Sequence, residues 1–417
     1  MEITTLGALI GLAIAIILII IKVQPTYSLI FGALIGGLIG GAGLTDTVAT
    51  MITGAQSIIS SVLRIITSGI LAGTLIKTGA AAKIAEVIVD KLGQKRVFVA
   101  LAIATMILCA VGVFVDIAVI TVAPIGLAIG ERAGLNKASI LLAMIGGGKA
   151  GNVVSPNPNT IAAATEFQVD LAQLMARNII PALFALIVTV ILARIIAKKS
   201  SSKISSVDLD ENKSENLPSF MAAISGPVIV IILLALRPIF DINIDPLIAL
   251  PVGGIVCILA CGQARNVIEY MGYGLSKVMP IAVLLIGTGT IAGIIKASNL
   301  QGDVILGLEA LNLPMFLLAP VSGILMAGAT ASTTAGTTIA SSTFSSAIVG
   351  AGVPAISGAA MLHAGATVID SLPHGSFFHA TAGVTRVSIT ERLKLIPYEA
   401  LIGLTTTIVS IIVYLVL

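Results

Sequence analysis

Apolar runs fall near residues 6–21, 27–44, 57–76, 97–115, 117–130, 138–148 and 178–197, and again near 220–236, 246–262, 278–295, 313–328, 335–350, 354–369 and 398–417. A bilayer-spanning helix needs about 20 mostly apolar residues, so several of these runs are too short to cross alone and predict half-spans or interrupted helices. The chain has room for about ten to fourteen spans or half-spans at that length per span. The expected fold is an all-α polytopic membrane protein. The first run, from Leu6 to Ile21, ends at Lys22 without a basic leader or a small-residue cleavage site, which predicts a first membrane helix rather than a removable signal peptide.

One polar stretch is sustained, Lys198 to Ser219, and its Ser, Lys, Asp, Glu and Asn residues give it the composition of a solvated linker. It divides the chain into a membrane repeat over 1–197, a cytoplasmic linker over 198–219 and a second membrane repeat over 220–417. Ala72-Gly73-Thr74-Leu75-Ile76-Lys77 resembles Ala292-Gly293-Ile294-Ile295-Lys296 with one residue dropped. At nearly the same separation, Lys149-Ala150-Gly151 and Ser155-Pro156-Asn157-Pro158-Asn159 resemble His363-Ala364-Gly365 and Asp370-Ser371-Leu372-Pro373-His374. The segment after Lys77 carries Lys83, Lys91, Lys95 and Arg96, whereas its counterpart after Lys296 carries Asp303 and Glu309 and no basic residue. Basic loops stay in the cytoplasm, so the two segments are expected on opposite sides. Lys22, residues 78–96, Arg132 with Lys137, and Lys198-Lys199 all thread into the cytoplasm with the N-terminus outside. Inverted repeats with broken helices characterise secondary transporters.

Composition sharpens this picture. Of 417 residues 57% are hydrophobic and only 10% charged, against about 25% charged in a soluble domain, and mean hydropathy is +1.10. A net charge of +3, scattered along the chain, offers no basic block for nucleic acid. Cys109, Cys257 and Cys261 lie in apolar runs without metal-ligand spacing and read as small buried hydrophobes. HExxH, GxSxG and Walker patterns are absent, and Gly146-Gly147-Gly148-Lys149-Ala150-Gly151-Asn152 lacks the spacing of a phosphate loop. The chain is therefore expected to be no enzyme, with no catalytic residue, metal or cofactor.

An ionisable group at the centre of a membrane helix costs about 2.5–3.5 kcal/mol on insertion scales, which makes each one a functional candidate. Asp116 stands alone between Arg96 and Glu131; its alternative reading is a helix-end carboxylate facing water. His363, His374 and His379 bunch near Asp370, and histidine titrates near neutral pH. His379 reads as packed or interfacial. Asp116, His363, Asp370 and His374 are the candidate proton-coupling residues. The break around Ser155 to Thr160 is rich in hydroxyls and amides, a composition tolerated at membrane depth where it lines a polar cavity. Half-helix N-termini there present N–H groups to an anion. Candidate substrate ligands are Lys149 as counter-charge, Asn152, Ser155, Asn157, Asn159 and Thr160, with Ser332, Thr333, Thr334 and His374 in the second half. Small hydroxylated residues also pack membrane helices, and Gly32, Gly36 and Gly40 at spacing four read as such packing within a scaffold.

These residues resemble the gluconate permease (gluconate:proton symporter) family of the ion-transporter superfamily over most of the chain. The resemblance is carried by Ile84-Ala85-Glu86-Val87-Ile88-Val89-Asp90-Lys91-Leu92-Gly93 with Lys95-Arg96, by Val115-Asp116 with Pro124, by Ser155 through Ala164, and by Asp370-Ser371-Leu372-Pro373-His374-Gly375. It implies proton-coupled uptake of a small hydroxylated carboxylate of the sugar-acid, glycerate or hydroxybutyrate class. It also implies an elevator motion past a dimeric scaffold and residence in a bacterial inner membrane. Where this chain has Ser155 to Asn159 the familiar gluconate members have a His- and Pro-rich segment, and where it has Asp116 they have glutamate, so the substrate stays open. The alternatives are sodium coupling, exchange of a di- or tricarboxylate or inorganic anion, and an anion channel.

Overall fold

The computed structural model describes residues 3–93, 96–199, 204, 217–240, 242, 244–300, 302, 303, 306, 310, 314–373 and 375–416. Among them are nineteen α-helices and no β-strand. The first half contains α1 (Thr5–Ile20), α2 (Pro25–Ile39), α3 (Leu44–Ser57), α4 (Ile59–Lys77), α5 (Ala80–Leu92), α6 (Val97–Ala110), α7 (Val115–Arg132), α8 (Lys137–Asn152), α9 (Pro158–Glu166), α10 (Leu171–Arg177) and α11 (Ile179–Lys199). The second contains α12 (Phe220–Phe240), α13 (Pro246–Ala260), α14 (Val267–Lys296), α15 (Leu318–Thr330), α16 (Thr333–Gly350), α17 (Ala355–Gly365), α18 (Ser376–Thr385) and α19 (Ile389–Val416). Most of the expected linker, residues 200–203 and 205–216, lies outside the described residues.

Local sequence sets many of the boundaries. Thr4, Asn136, Asn157, Asp170, Asp245 and Ser332 cap α1, α8, α9, α10, α13 and α16 through their side-chain oxygens, and Pro25, Pro158 and Pro246 occupy first-turn positions. Left-handed turns recur at matching places in the two halves: Gly134 and Gly352 follow α7 and α16, while Gln168 and Arg386, with φ of 54° and 50°, follow α9 and α18.

The packing shows that the repeat is inverted. Segment α3–α4 and its counterpart α14 lie side by side and antiparallel. A Cβ on Gly54 would fall 2.6 Å from Gly293 Cα, and one on Gly73 would fall 2.6 Å from Gly274 Cα. The repeat aligns Gly54 with Gly274 and Gly73 with Gly293, so each contact is the other's mate under a two-fold. The same relation sets Ile58 against Gly289 and Val278 against Gly69, at 2.8 and 2.7 Å. A parallel repeat would run equivalent helices in one direction. Gly32 and Gly36 meet Gly11 of α1, the close packing expected of that stripe.

Each half contributes to two layers. Helices α1–α4 and α12–α14 pack on one another, as do α6–α11 with α15–α19. In the second layer α6 packs along α7 and α15 along α16, which makes two helical hairpins. The pairs α8/α9 and α17/α18 are interrupted helices: α8 ends at Asn152 and α9 begins at Pro158, and α17 ends at Gly365 and α18 begins at Ser376. Arg64 of α4 joins the layers: Nε and Nη2 donate to Asp245 at 3.0 and 2.7 Å, and Nη1 donates to Thr165 of α9 at 3.0 Å. These bonds hold the Asp245 carboxyl below the usual carboxylate range. Lys296 lies 3.6 Å from Glu166 at the same end of α9. On the periphery Ile180, Phe184, Ile187 and Ile191 of α11 and Leu401, Leu404, Ile408 and Ile412 of α19 are exposed, which suits contact with lipid hydrocarbon. Helices α4, α11, α14 and α19 are long and apolar enough to cross a membrane.

Candidate functional site

Four helices begin at one point. The N-termini of α7 (Val115, Asp116, Ile117), α9 (Asn157, Asn159), α16 (Ser332, Thr333, Thr334) and α18 (Ser376, Phe377) all line a single cavity of about 290 Å³. Two of these ends are hairpin tips and two are helix breaks, one of each from either repeat. Every such terminus carries unsatisfied N–H groups and the positive end of its helix dipole. Ser332 and Asn157 cap α16 and α9, whereas α7 and α18 have no side-chain cap.

The polar lining is tightly organised. Asn157 Nδ2 donates to the carbonyl and the side-chain oxygen of Asn152 at 2.9 and 2.5 Å, and Asn159 Nδ2 donates to the same side-chain oxygen at 3.1 Å. Asn157 Oδ1 accepts from the N–H groups of Asn159 and Thr160 and from the Thr160 hydroxyl. Asn159 Oδ1 is buried without a hydrogen-bond partner among the described residues. Across it, Thr333 Oγ1 donates to Asp370 Oδ2 at 2.5 Å and Ser371 Oγ to Asp370 Oδ1 at 3.0 Å. Lys149 is 2% exposed and donates to Asp370 Oδ1 at 2.5 Å and to the Thr367 carbonyl at 2.7 Å. The lysine expected as a counter-charge to substrate is paired here with a carboxylate of the other repeat.

Of the residues singled out from sequence, Asp116, Lys149, Asn152, Asn157, Asn159, Ser332, Thr333, Thr334 and Asp370 line this one cavity. Ser155, in the break, and Thr160, in the first turn of α9, are buried but absent from the lining. His363 is sealed in α17 at the position equivalent to Lys149, fully buried, away from the cavity lining, with neither ring nitrogen hydrogen-bonded among the described residues. His379 is exposed, its Nε2 2.7 Å from the Pro373 carbonyl. His374 lies outside the described residues. The structure adds Phe114, Ser376, Phe377, and from the other layer Lys277 and Ile281 of α14. The apolar run expected near 278–295 begins just after Lys277, and the lysine was not among the candidates. The helix in fact starts at Val267, which puts Lys277 well inside it.

Comparison with known proteins agrees with this architecture. A family model described as GntP family permease matches residues 3–417. A Haemophilus influenzae protein described as an uncharacterized transporter is 56% identical over 412 residues, covering 99% of this chain and 98% of the relative. A Pseudomonas aeruginosa gluconate permease is 24% identical over 332 residues, covering 73% of this chain and 72% of its own length. Among solved structures, the YdaH transporter of Alcanivorax borkumensis, noted for an unusual topology, superposes with a TM-score of 0.68 at 15% identity over 98% of each chain.

Proposed function

Because this chain belongs to the GntP permease family, we propose that it is a secondary active transporter that takes up a small hydroxylated carboxylate with protons across a bacterial inner membrane. The observation that carries this reading is the convergence of four helix N-termini on one cavity at the interface of two inverted repeats. Such termini bind anions through free N–H groups and aligned dipoles, and a midplane site between broken helices is where alternating-access carriers hold substrate. Polar side chains of the lining, Asn159 and Thr334 among them, suit the hydroxyl groups of a sugar acid, glycerate or hydroxybutyrate. The layer of hairpins and broken helices carries substrate past the layer of α1–α4 and α12–α14, which also forms the contact of a homodimer.

Asp116 is the proton site in this mechanism: it lines the cavity at the start of α7 and has no ion-pair partner within bonding distance among the described residues. Protonating it offsets the charge of an incoming anion. Uptake of labelled gluconate, glycerate and 3-hydroxybutyrate into proteoliposomes tests the proposal, with proton and sodium gradients imposed separately. Accumulation of at least one acid is expected under the proton gradient and not the sodium gradient, with competition by hydroxy acids and little by neutral sugars. Asp116→Asn should abolish proton-driven accumulation and preserve substrate exchange. Accumulation by that variant equal to wild type removes Asp116 from coupling, and equal competition by a neutral sugar removes the carboxylate site.

A further inference from the structure

We propose that Lys277 receives the substrate carboxylate and restricts the cavity to ligands bearing a single carboxylate. Given an anion in the cavity, as proposed above, the question is which cation meets it. Four charged residues among those described line the space: Asp116, Lys149, Lys277 and Asp370. Lys149 is buried and committed to Asp370 and the Thr367 carbonyl. Lys277 is an exposed residue whose ammonium lies 5.2 Å from the centroid of the Tyr273 ring, with no ion pair within bonding distance among the described residues. Its flexible stem lets the ammonium follow a ligand.

Packing does not call for a lysine here. The two-fold that relates Gly54 to Gly274 and Ile58 to Val278 makes Ser57 the counterpart of Lys277, and its hydroxyl simply donates to the Gly54 carbonyl at 2.7 Å. The framework accommodates a small neutral residue at the equivalent place, so the charge at 277 is an asymmetry added on the side that faces the cavity. The balance of charge then sets valence. With Asp116 protonated, as the proposed coupling requires, the four residues carry one net positive charge; one carboxylate pairs with Lys277 and cancels it, and a second finds no cation to answer it. A like charge in a partly desolvated site is strongly disfavoured.

Isothermal titration calorimetry on the full-length protein in detergent tests this, with gluconate as ligand, glucarate as the sugar acid with a second carboxylate, and glucose as the neutral control. Wild type is expected to bind gluconate well and glucarate and glucose weakly. Lys277→Gln should weaken gluconate binding by about ten- to a hundredfold, the worth of a charge-assisted hydrogen bond. Lys277→Arg should keep most of the affinity. Melting temperatures of both variants close to wild type show that the fold is retained. Gluconate binding by Lys277→Gln as tight as wild type overturns the assignment. Glucarate binding to wild type as tightly as gluconate overturns the valence limit, even where the glutamine variant misfolds. A wild type that binds neither gluconate, glycerate nor 3-hydroxybutyrate instead refutes the carboxylate-transport reading itself.

Discussion

Lys149 and Asp370 are 2% and 5% exposed and come from different repeats, so their pairing fastens the two breaks together at the cavity floor. Removing one member of a buried pair strands the other charge and costs about 3–5 kcal/mol, while replacing both with apolar groups is far better tolerated. Lys149→Met and Asp370→Leu should therefore each lower the melting temperature strongly, and the double variant should melt above either single one. A double variant whose loss equals the sum of the single losses would mean that the two residues are not a closed unit. The cavity residues were legible because polar groups in apolar segments are costly and therefore rare: Asp116 stood out as a lone charge, Asn157 within an amide-rich break, and Asp370 beside the bunched histidines. The same argument does not distinguish a group facing a cavity from one sealed in packing, which is why His363 looked equivalent to Asp116. It also passes over Lys277, since a lysine next to an apolar run is cheap if the helix ends there and informative only once the helix is known to continue.

The elements legible in sequence are those whose apolar run is long, such as α11 and α19, and those marked by caps and proline, such as α9 behind Asn157 and Pro158. Helices α3, α5, α10 and α18 fell outside the apolar runs or were cut short by them, because helices of 7 to 14 residues with mixed composition are marginal alone and take their stability from neighbours. The position of each break depends on what the helix before it packs against. Gly151, in the last turn of α8, lies so close to α6 that a Cβ would stand 2.2 Å from the Met106 carbonyl, whereas Gly272 of α14 has nothing within 4 Å. Gly151→Ala should push α8 away from α6 and displace Asn152, at an overpacking cost of about 1–3 kcal/mol, so that melting temperature and gluconate binding both fall. Gly272→Ala, in open space within a helix, should leave melting unchanged or raise it slightly. Equal effects at the two sites would argue that α8 can yield without disturbing the site.

At the scale of the molecule, inversion fixes which side each loop faces. In a background with Cys261, the half-buried native thiol, replaced by serine, a cysteine at Asp90 should react with an impermeant maleimide only from the cytoplasm. One at Gly302 should react only from outside; both positions are exposed. Labelling of the two from the same side would contradict the threading. The sequence matches that first suggested a repeat, Ala72-Gly73 with Ala292-Gly293 and Ala150-Gly151 with Ala364-Gly365, are also places where backbones touch. Gly73 and Gly293 meet the opposite copy, and Gly151 and Gly365 each stand 2.2 Å, by their absent Cβ, from a carbonyl of their own copy, Met106 and Pro320. A seam of this kind couples what the two halves can accept. A larger residue at Gly73 collides with Gly274, one at Gly293 collides with Gly54, and neither copy can drift there without the other giving way. A change on one side of this seam therefore calls for a compensating change on the other, a constraint that contacts inside a single copy, such as Gly151 with Met106, do not impose.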